Sequence, residues 1–487
     1  MLINESLMSK IGIMAILTFG AKFVRLVIFM ITARFLTPED FGVIATYTMI
    51  MAFAYLSSQL GLIRTLIQRP KLNSAHIGGA ITLSSFLCMI VSSILFFGSE
   101  FISDFVDVEQ VNIPLKVSSA MFVIISFSNV CSAIYLRNGD AVFIGKIQMM
   151  VSMSCNIILV IPLLYLHMGY LSIIISLIIS QIFSSIIILY YGRGFLKFVI
   201  KKNESIEIVQ YTSAFMVNNL LEISYKQIDI VIIGRAFGIS ALGNYTRSIQ
   251  LVNFPSQIYQ LVVDKVVFPA MSEMKNSKDE LHSLFMEIFS ALFFVLCFGA
   301  LAIHFGSKEI VLVLMGSDWP IVITLLSILA ISLPFRCLST FIDSFLAASG
   351  HFTILNIHQL ISLLVLIASI FSAIDFGLEA VIVAIVFSVI FKFLTTIFIT
   401  VYFVKVPLIL FFRSMLPGFL SSIIIIIIYW SLAYFDMKFG LLNIFSSFFL
   451  YFTFSILYPV KMLLPSILFF YIGKLKLFFK FFPEIKN

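Results

Sequence analysis

The stretch 208-IVQYTSAFMVNNLLEISYKQIDIVIIGRAFGISALGNYTRSIQLVNFPSQIYQLVVDKVVFPA-270 decides how the chain is read. It is long enough for two membrane-spanning helices joined by a short turn, at about 20 residues per crossing. Yet it carries Glu222, Lys226, Asp229, Arg247, Asp264 and Lys265. Glu222, Lys226 and Asp229 are spaced i, i+4, i+7 and share one helix face. Each costs roughly 2.5–3.5 kcal/mol at mid-membrane if nothing compensates. A chain tolerates such groups where they face a wet cavity or one another, and there they usually mark a transport pathway. In the second half Arg247, Gln250, Gln257 and Asp264 form a polar stripe, with Pro255 inside it to allow a bend. The two helices read as one wall of a polar cavity inside a membrane protein.

Composition agrees. Of the 487 residues 61% are hydrophobic and 11% charged, against about 25% charged in a soluble domain. The mean hydropathy is +1.11. Met1–Ser9 is short and polar, with no small-residue cleavage site after it, so the first apolar segment is expected to stay as a helix. The net charge of +7 points to basic loops on one side of a membrane rather than to nucleic acid. The five cysteines lie in apolar segments without metal spacing, and the six histidines form no HExxH pattern, so no metal site is expected.

Apolar runs predict spans near 11–34, 41–63, 76–98, 114–136, 147–166, 170–192, 208–234, 243–270, 283–305, 319–347, 353–375, 378–403, 408–435 and 442–462. The fold class is therefore an all-α membrane protein with about fourteen transmembrane helices. With the N-terminus inside, 18 Lys and Arg fall in inner segments and four (Arg34, Arg235, Lys308, Lys438) in outer loops. That bias places both termini in the cytoplasm. The outer stretch 100–110 is acidic and reads as a solvated loop. No loop exceeds roughly 20 residues, which leaves no room for a soluble catalytic domain, and no enzymatic activity is expected.

A gap-free displacement of 201 residues pairs Arg25 with Lys226, Arg34 with Arg235, Gly42 with Gly243, Gln59 with Gln260, and Arg64 with Lys265. Six spans separate the copies, so both enter the membrane in the same direction. Parallel repeats of this kind hold substrate between them. The predicted division is a six-helix bundle over 1–192, a basic cytoplasmic linker over 193–207, a second bundle over 208–403, and two extra helices with a basic tail over 404–487. The bundles are expected to enclose a central cavity.

Thr18, Lys22, Arg25 and Thr32 share one face of the first helix. Lys22 and Arg25 from one half, with Lys226 and Arg247 from the other, would make a cavity net cationic. Arg336, on the face of Asp343 in the tenth span, adds to it. Such a cavity suits phosphate or pyrophosphate: Arg binds its oxygens as a fork, Lys as a point charge. The candidate ligand residues are thus Lys22, Arg25, Lys226, Arg247 and Arg336. Glu222, Asp229 and Asp343 either couple transport to H+ or Na+ or neutralise neighbouring cations.

Three stretches resemble a known family. They are Ala33-Arg-Phe-Leu-Thr-Pro-Glu-Asp-Phe-Gly42; Asp229-Ile-Val-Ile-Ile-Gly-Arg235 with Leu242-Gly-Asn-Tyr245 and Pro255; and Leu314-Met-Gly-Ser-Asp-Trp319 with Ala348-Ser-Gly350. Together they resemble the bacterial polysaccharide-unit flippases of the Wzx type, which share the MOP superfamily with the lipid II flippases and the MATE drug exporters. The resemblance implies a transporter in the bacterial plasma (inner) membrane. It would move a polyprenyl-pyrophosphate-linked oligosaccharide, such as an O-antigen or capsule repeat unit, to the outer leaflet by alternating access. It also implies ion coupling, no bound cofactor, and work alongside the polysaccharide polymerase machinery. Two other readings compete. A MATE-like organic-cation antiporter needs an acid-dominated cavity. A membrane-embedded glycan polymerase or transferase needs a substantial outer loop.

Overall fold

The computed structural model describes residues 24–59, 61–69, 72–196, 202–262, 278–348 and 352–434, together with Gly20 and Val199. Lys22, Asp264, Lys265, the fourteenth expected span and the basic tail lie outside them. The described residues are helical, with no strand, as an apolar solvent requires of backbone amides that must pair within their own segment. Among them, nine helices are long and apolar enough to cross a membrane, or eleven if each of two bent pairs is one span. The chain is a multi-pass membrane protein.

The described residues fall into two compact units, the first running to Thr246 and taking in Leu314–Gly316, the second holding the rest from Arg247. In the first, the helix Ser74–Phe97 packs along Met121–Arg137. Ser84 Oγ donates to the Ser126 carbonyl at 2.8 Å and Ser92 Oγ to that of Ser119 at 2.9 Å. Small hydroxyl residues let membrane helices approach closely and bond. On the far side Phe86, Met89, Ile94 and Phe97 are exposed, as a lipid-facing surface needs. Arg137 Nη1 caps the end of the helix Leu62–Gln68 by donating to the Leu66 and Arg69 carbonyls at 2.8 and 2.6 Å.

The second unit is built on an aromatic ladder. Phe285, Phe289 and Phe293, four residues apart on the helix Lys278–Phe305, are fully buried. Phe285 stacks on Phe341 and Phe345 with centroids 5.0 and 4.3 Å apart. The helix Leu408–Tyr434 closes on the ladder at Gly418, where a Cβ would come 2.5 Å from the Phe293 ring.

A succession of elements recurs. Ser74–Phe97 is followed by the eight-residue helix Ser99–Val106, then by the pair Glu109–Ser119 and Met121–Arg137, bent by 56°. Lys278–Phe305 is followed by the eight-residue helix Ser307–Leu314, then by Pro320–Ala330 and Leu333–Leu346, bent by 49°. The acidic stretch 100–110, expected as a solvated loop, is thus largely helical.

The two motif turns meet. The first helix runs to residue 35, and Thr37 starts the next helix, Pro38–Gln59, with a capping box. The Thr37 amide donates to Asp40 Oδ2 at 3.0 Å, and the Asp40 amide to Thr37 Oγ1 at 3.3 Å. Pro38 fits the first helical position because its missing N–H has no partner there anyway. Asp40 Oδ1 also accepts from the Tyr170 amide at 3.0 Å, at the head of the helix Leu171–Gly192.

The corresponding turn lies inside Lys202–Val262 at Gly238, whose φ of 81° suits glycine. Gly238 is the counterpart of Thr37 under the 201-residue displacement, and the expected outer segment on either side of it is helical. A Cβ on Gly42 would collide with the Ile239 carbonyl, and one on Gly243 with the Pro38 carbonyl. Ile239 is the displaced Pro38, and Gly243 the displaced Gly42. The contact is reciprocal: each turn offers a glycine to the other's first helical residue.

Gly42→Ala and Gly243→Ala should each cost about 1–3 kcal/mol through overpacking. Gly194→Ala, where a Cβ meets nothing within 4 Å, should leave stability unchanged. Thermal unfolding of the three variants in detergent measures the difference.

Candidate functional site

A cavity of about 640 Å³ opens among helices of the first unit. The first helix contributes Arg25, the second Tyr47, Thr48 and Tyr55, the fifth Gln148, Ser152 and Asn156, and the sixth Ser180 and Gln181. Arg25 is the one charged side chain among the described residues that line it; no Asp, Glu or Lys does so. Two tyrosines are held from behind. Ser118 Oγ donates to the Pro114 carbonyl at 2.7 Å, so the Tyr47 hydroxyl, 2.7 Å from that Oγ, is the donor to it. Tyr55 Oη points at Met121 Sδ, 3.8 Å away.

The fifth helix is locally unwound where it meets the cavity. Residues Asn156–Val160 form a π-turn between Ala141–Cys155 and Ile161–Tyr165. Pro162 explains it: with no N–H, it cannot continue the regular ladder to the preceding turn. The wider turn carries Asn156, whose Oδ1 accepts from Ser176 Oγ at 3.3 Å. The side-chain amides of Gln148 and Gln181 have no hydrogen-bond partner among the described residues.

The remaining candidates are distributed as follows. Lys226 Nζ lies 2.6 Å from Glu222 Oε1, an i, i+4 pair with the acid N-terminal, the favoured order. Asp229 Oδ2 accepts from the hydroxyl of fully buried Tyr245 across the hairpin, and its Oδ1 from the Ile230 amide at 2.9 Å. Arg25, Lys226, Glu222 and Asp229 all belong to the first unit; Arg247, Arg336 and Asp343 belong to the second.

In the second unit a run of polar residues winds around one helix. Buried Arg247 donates to Gln250 Oε1 at 2.8 Å, and Arg336 to Asn253 Oδ1 at 3.2 Å. Cys337 Sγ lies 3.3 Å from Ser256 Oγ. Arg247, Gln250, Asn253 and Ser256 are three residues apart throughout, and the helix Leu333–Ala348 meets the last two. Asp343 Oδ2 sits 3.6 Å from Lys392 Nζ, with side-chain exposures of 24% and 12%. His358 Nε2 lies 2.8 Å from Thr395 Oγ1, one helical turn beyond Lys392.

Sequence reasoning passed over the amides. Gln148, Ser152 and Asn156 are spaced i, i+4, i+8, a stripe as regular as the charged ones. A neutral amide costs less to bury than a charge, so it stands out less in an apolar segment. Asn253 and Ser256 were missed for the same reason.

A family model described as polysaccharide biosynthesis protein matches residues 31–323, more than half of the chain. The chain belongs to that family. It is 24% identical to the succinoglycan biosynthesis transport protein ExoT of Rhizobium meliloti over 68% of this chain and 65% of that one. It is 20% identical to the lipopolysaccharide biosynthesis protein WzxC of Escherichia coli over 66% of this chain and 65% of that one. The chain thus spans just under two thirds of the length of each. The teichuronic acid biosynthesis protein TuaB of Bacillus subtilis is matched more fully, at 22% identity over 86% of this chain and 87% of that one.

Among solved structures, the lipid II flippase MurJ in an inward closed conformation superposes with a TM-score of 0.72, at 16% identity, covering 91% of this chain and 98% of that one. An inward-facing MATE multidrug transporter gives 0.56 at 13% identity, covering 77% and 92%. The chain shares its fold with both.

The Asp343–Lys392 pair offers a direct check on how charge is held in the second unit. Lys392→Met should destabilise by about 3–5 kcal/mol, because it leaves the half-buried carboxylate without that cation. Adding Asp343→Asn should recover most of the loss. Melting curves of the two single variants and the double variant, read as a cycle, measure the coupling.

Proposed function

We propose that the chain moves a polyprenyl-pyrophosphate-linked oligosaccharide from the cytoplasmic to the outer leaflet of the bacterial plasma membrane by alternating access. The observation that carries this reading is the cavity: one guanidinium and no carboxylate among its described lining, which is otherwise of amides, hydroxyls, methionines and a few aliphatic residues. An organic-cation antiporter needs the opposite charge there. Family membership adds weight, as do relatives named for the transport or synthesis of succinoglycan, lipopolysaccharide and teichuronic acid.

In this reading fourteen spans form two parallel six-helix bundles plus two further helices, with both termini cytoplasmic. The recurring element order and the reciprocal glycine contact support the repeat. Arg25 takes pyrophosphate oxygens, with Lys22, Lys226, Arg247 and Arg336 as the other cations available, while the lipid tail stays in the bilayer. Coupling to H+ or Na+ belongs to the same reading, with Glu222, Asp229 and Asp343 as the carboxylates available to it. The ion must favour one state over the other, since equal binding to both shifts nothing. Handing the emerging oligosaccharide to a polymerase completes the scheme.

Reconstitution into liposomes with a lipid-linked oligosaccharide tests it, scoring glycan that becomes accessible on the far side. Wild type should move the glycan. Arg25→Gln should slow it roughly tenfold or more, the scale of one lost charge-assisted contact. Lys226→Gln should have a smaller effect, because Glu222 already balances that charge. No movement of the glycan, alongside export of a small organic cation, overturns the proposal.

A further inference from the structure

We propose that the cavity of the first unit is a glycan subsite, in which Gln148, Ser152, Asn156 and Gln181 bind the sugars adjoining the pyrophosphate while Arg25 takes the phosphate oxygens. This rests on the transport reading above and adds to it a place and a chemistry for recognition. The argument begins with what the side chains lack. The Gln148 and Gln181 amides, like the Ser152 and Ser180 hydroxyls, have no hydrogen-bond partner among the described residues. A polar group inside a membrane protein is costly unless wetted or paired. Here unpaired groups on two neighbouring helices converge on one space.

Their type selects the ligand. A carboxamide offers a donor and an acceptor side by side, which matches a pair of neighbouring sugar hydroxyls. Two such amides, an Asn and two serines make a lining that is rich in hydrogen-bonding capacity and carries no charge of its own. A phosphate alone would not call for this lining, and an organic cation is disfavoured by Arg25. Tyr47 and Tyr55 add apolar ring surface with a polar tip. Met51, Met149 and Met153 supply flexible side chains that adapt to the shape of whatever enters. The volume of about 640 Å³ lies in the range of small-molecule sites, roughly 300–1,000 Å³. With Arg25 on the phosphate oxygens, the sugars within reach of the amides are the pyrophosphate-proximal ones, and the distal ones stay free.

Thiol labelling tests this on the full-length protein in liposomes. The five native cysteines are buried, so Gln181→Cys introduces a reporter inside the cavity, and unsubstituted protein gives the background. The probes are the lipid-linked oligosaccharide pool extracted from the producing cells and glycan-free polyprenyl pyrophosphate. The glycan-bearing pool should slow maleimide labelling of Gln181→Cys roughly tenfold, and the glycan-free lipid should leave it unchanged. Equal protection by both lipids, or by neither, overturns the subsite. In parallel, Gln148→Leu should raise the substrate concentration for half-maximal flipping roughly tenfold at an unchanged maximal rate. A lowered maximal rate with unchanged half-saturation contradicts a binding role. Protection by the glycan-bearing pool in a protein that moves no lipid-linked oligosaccharide keeps the glycan site and removes the transport reading.

Discussion

A polar group placed inside a bilayer must find a partner on the protein or a wet cavity, and the arrangement of this chain follows from that demand. Most charged groups that the sequence sets within apolar segments have found partners. Glu222 meets Lys226, Asp229 meets Tyr245, Arg247 meets Gln250, Arg336 meets Asn253, and Asp343 meets Lys392. These contacts are made between turns of one helix or between neighbouring helices of one unit, where they join elements that apolar packing alone would leave free to slide. Arg25 is different. It is exposed and lines the cavity, with no hydrogen bond or ion pair to a described residue. At the cavity the unpaired charge is therefore positive, the condition a binding site for an anionic headgroup requires.

Close approach of backbones is the second constraint. Membrane helices gain little from burying apolar surface away from lipid that is equally apolar, so contact area and fit decide association. Gly42 and Gly243 bring two helix starts together until carbonyl oxygens occupy the space of the missing side chains. Gly418 does the same for the aromatic ladder at Phe293. The positions 38, 42, 239 and 243 interlock under the same 201-residue displacement that aligns the charges. A displacement found in one-dimensional sequence thus reappears as a two-fold contact in space, although nothing in the alignment of charges demands that the two turns touch.

Much of the fold was legible because its cause is local. A run of apolar residues closed by Pro, Gly or a cap specifies a span whatever its neighbours do, and the helices of 74–97, 171–192, 378–404 and 408–434 lie where hydropathy puts them. Thr37-Pro-Glu-Asp40 spells out a helix start in its own side chains. The helices Ser99–Val106 and Ser307–Leu314 were illegible, because their mixed charged and apolar composition suits a loop equally well. The cavity was half legible. Arg25 announced itself by charge, whereas Gln148, Asn156 and Gln181 cost less to bury and so stand out less in sequence. What marks them is convergence from separate helices, a tertiary fact. The π-turn at Asn156, set by Pro162, is what aims the amide, and a proline in a span signals a break without giving its direction.

The cavity and the glycine contact are mechanically linked through the first helix. It runs unbroken from residue 24 to 35, and Thr37 caps the next helix immediately beyond. Arg25 and Phe35 are ten residues apart in the first helix, about 15 Å along the axis, before the break at Leu36 and Thr37. Asp40 holds both the cap and the start of the helix Leu171–Gly192, the helix that carries Ser180 and Gln181 into the cavity. Two walls of the cavity are therefore fastened to the segment that holds Gly42 against Ile239.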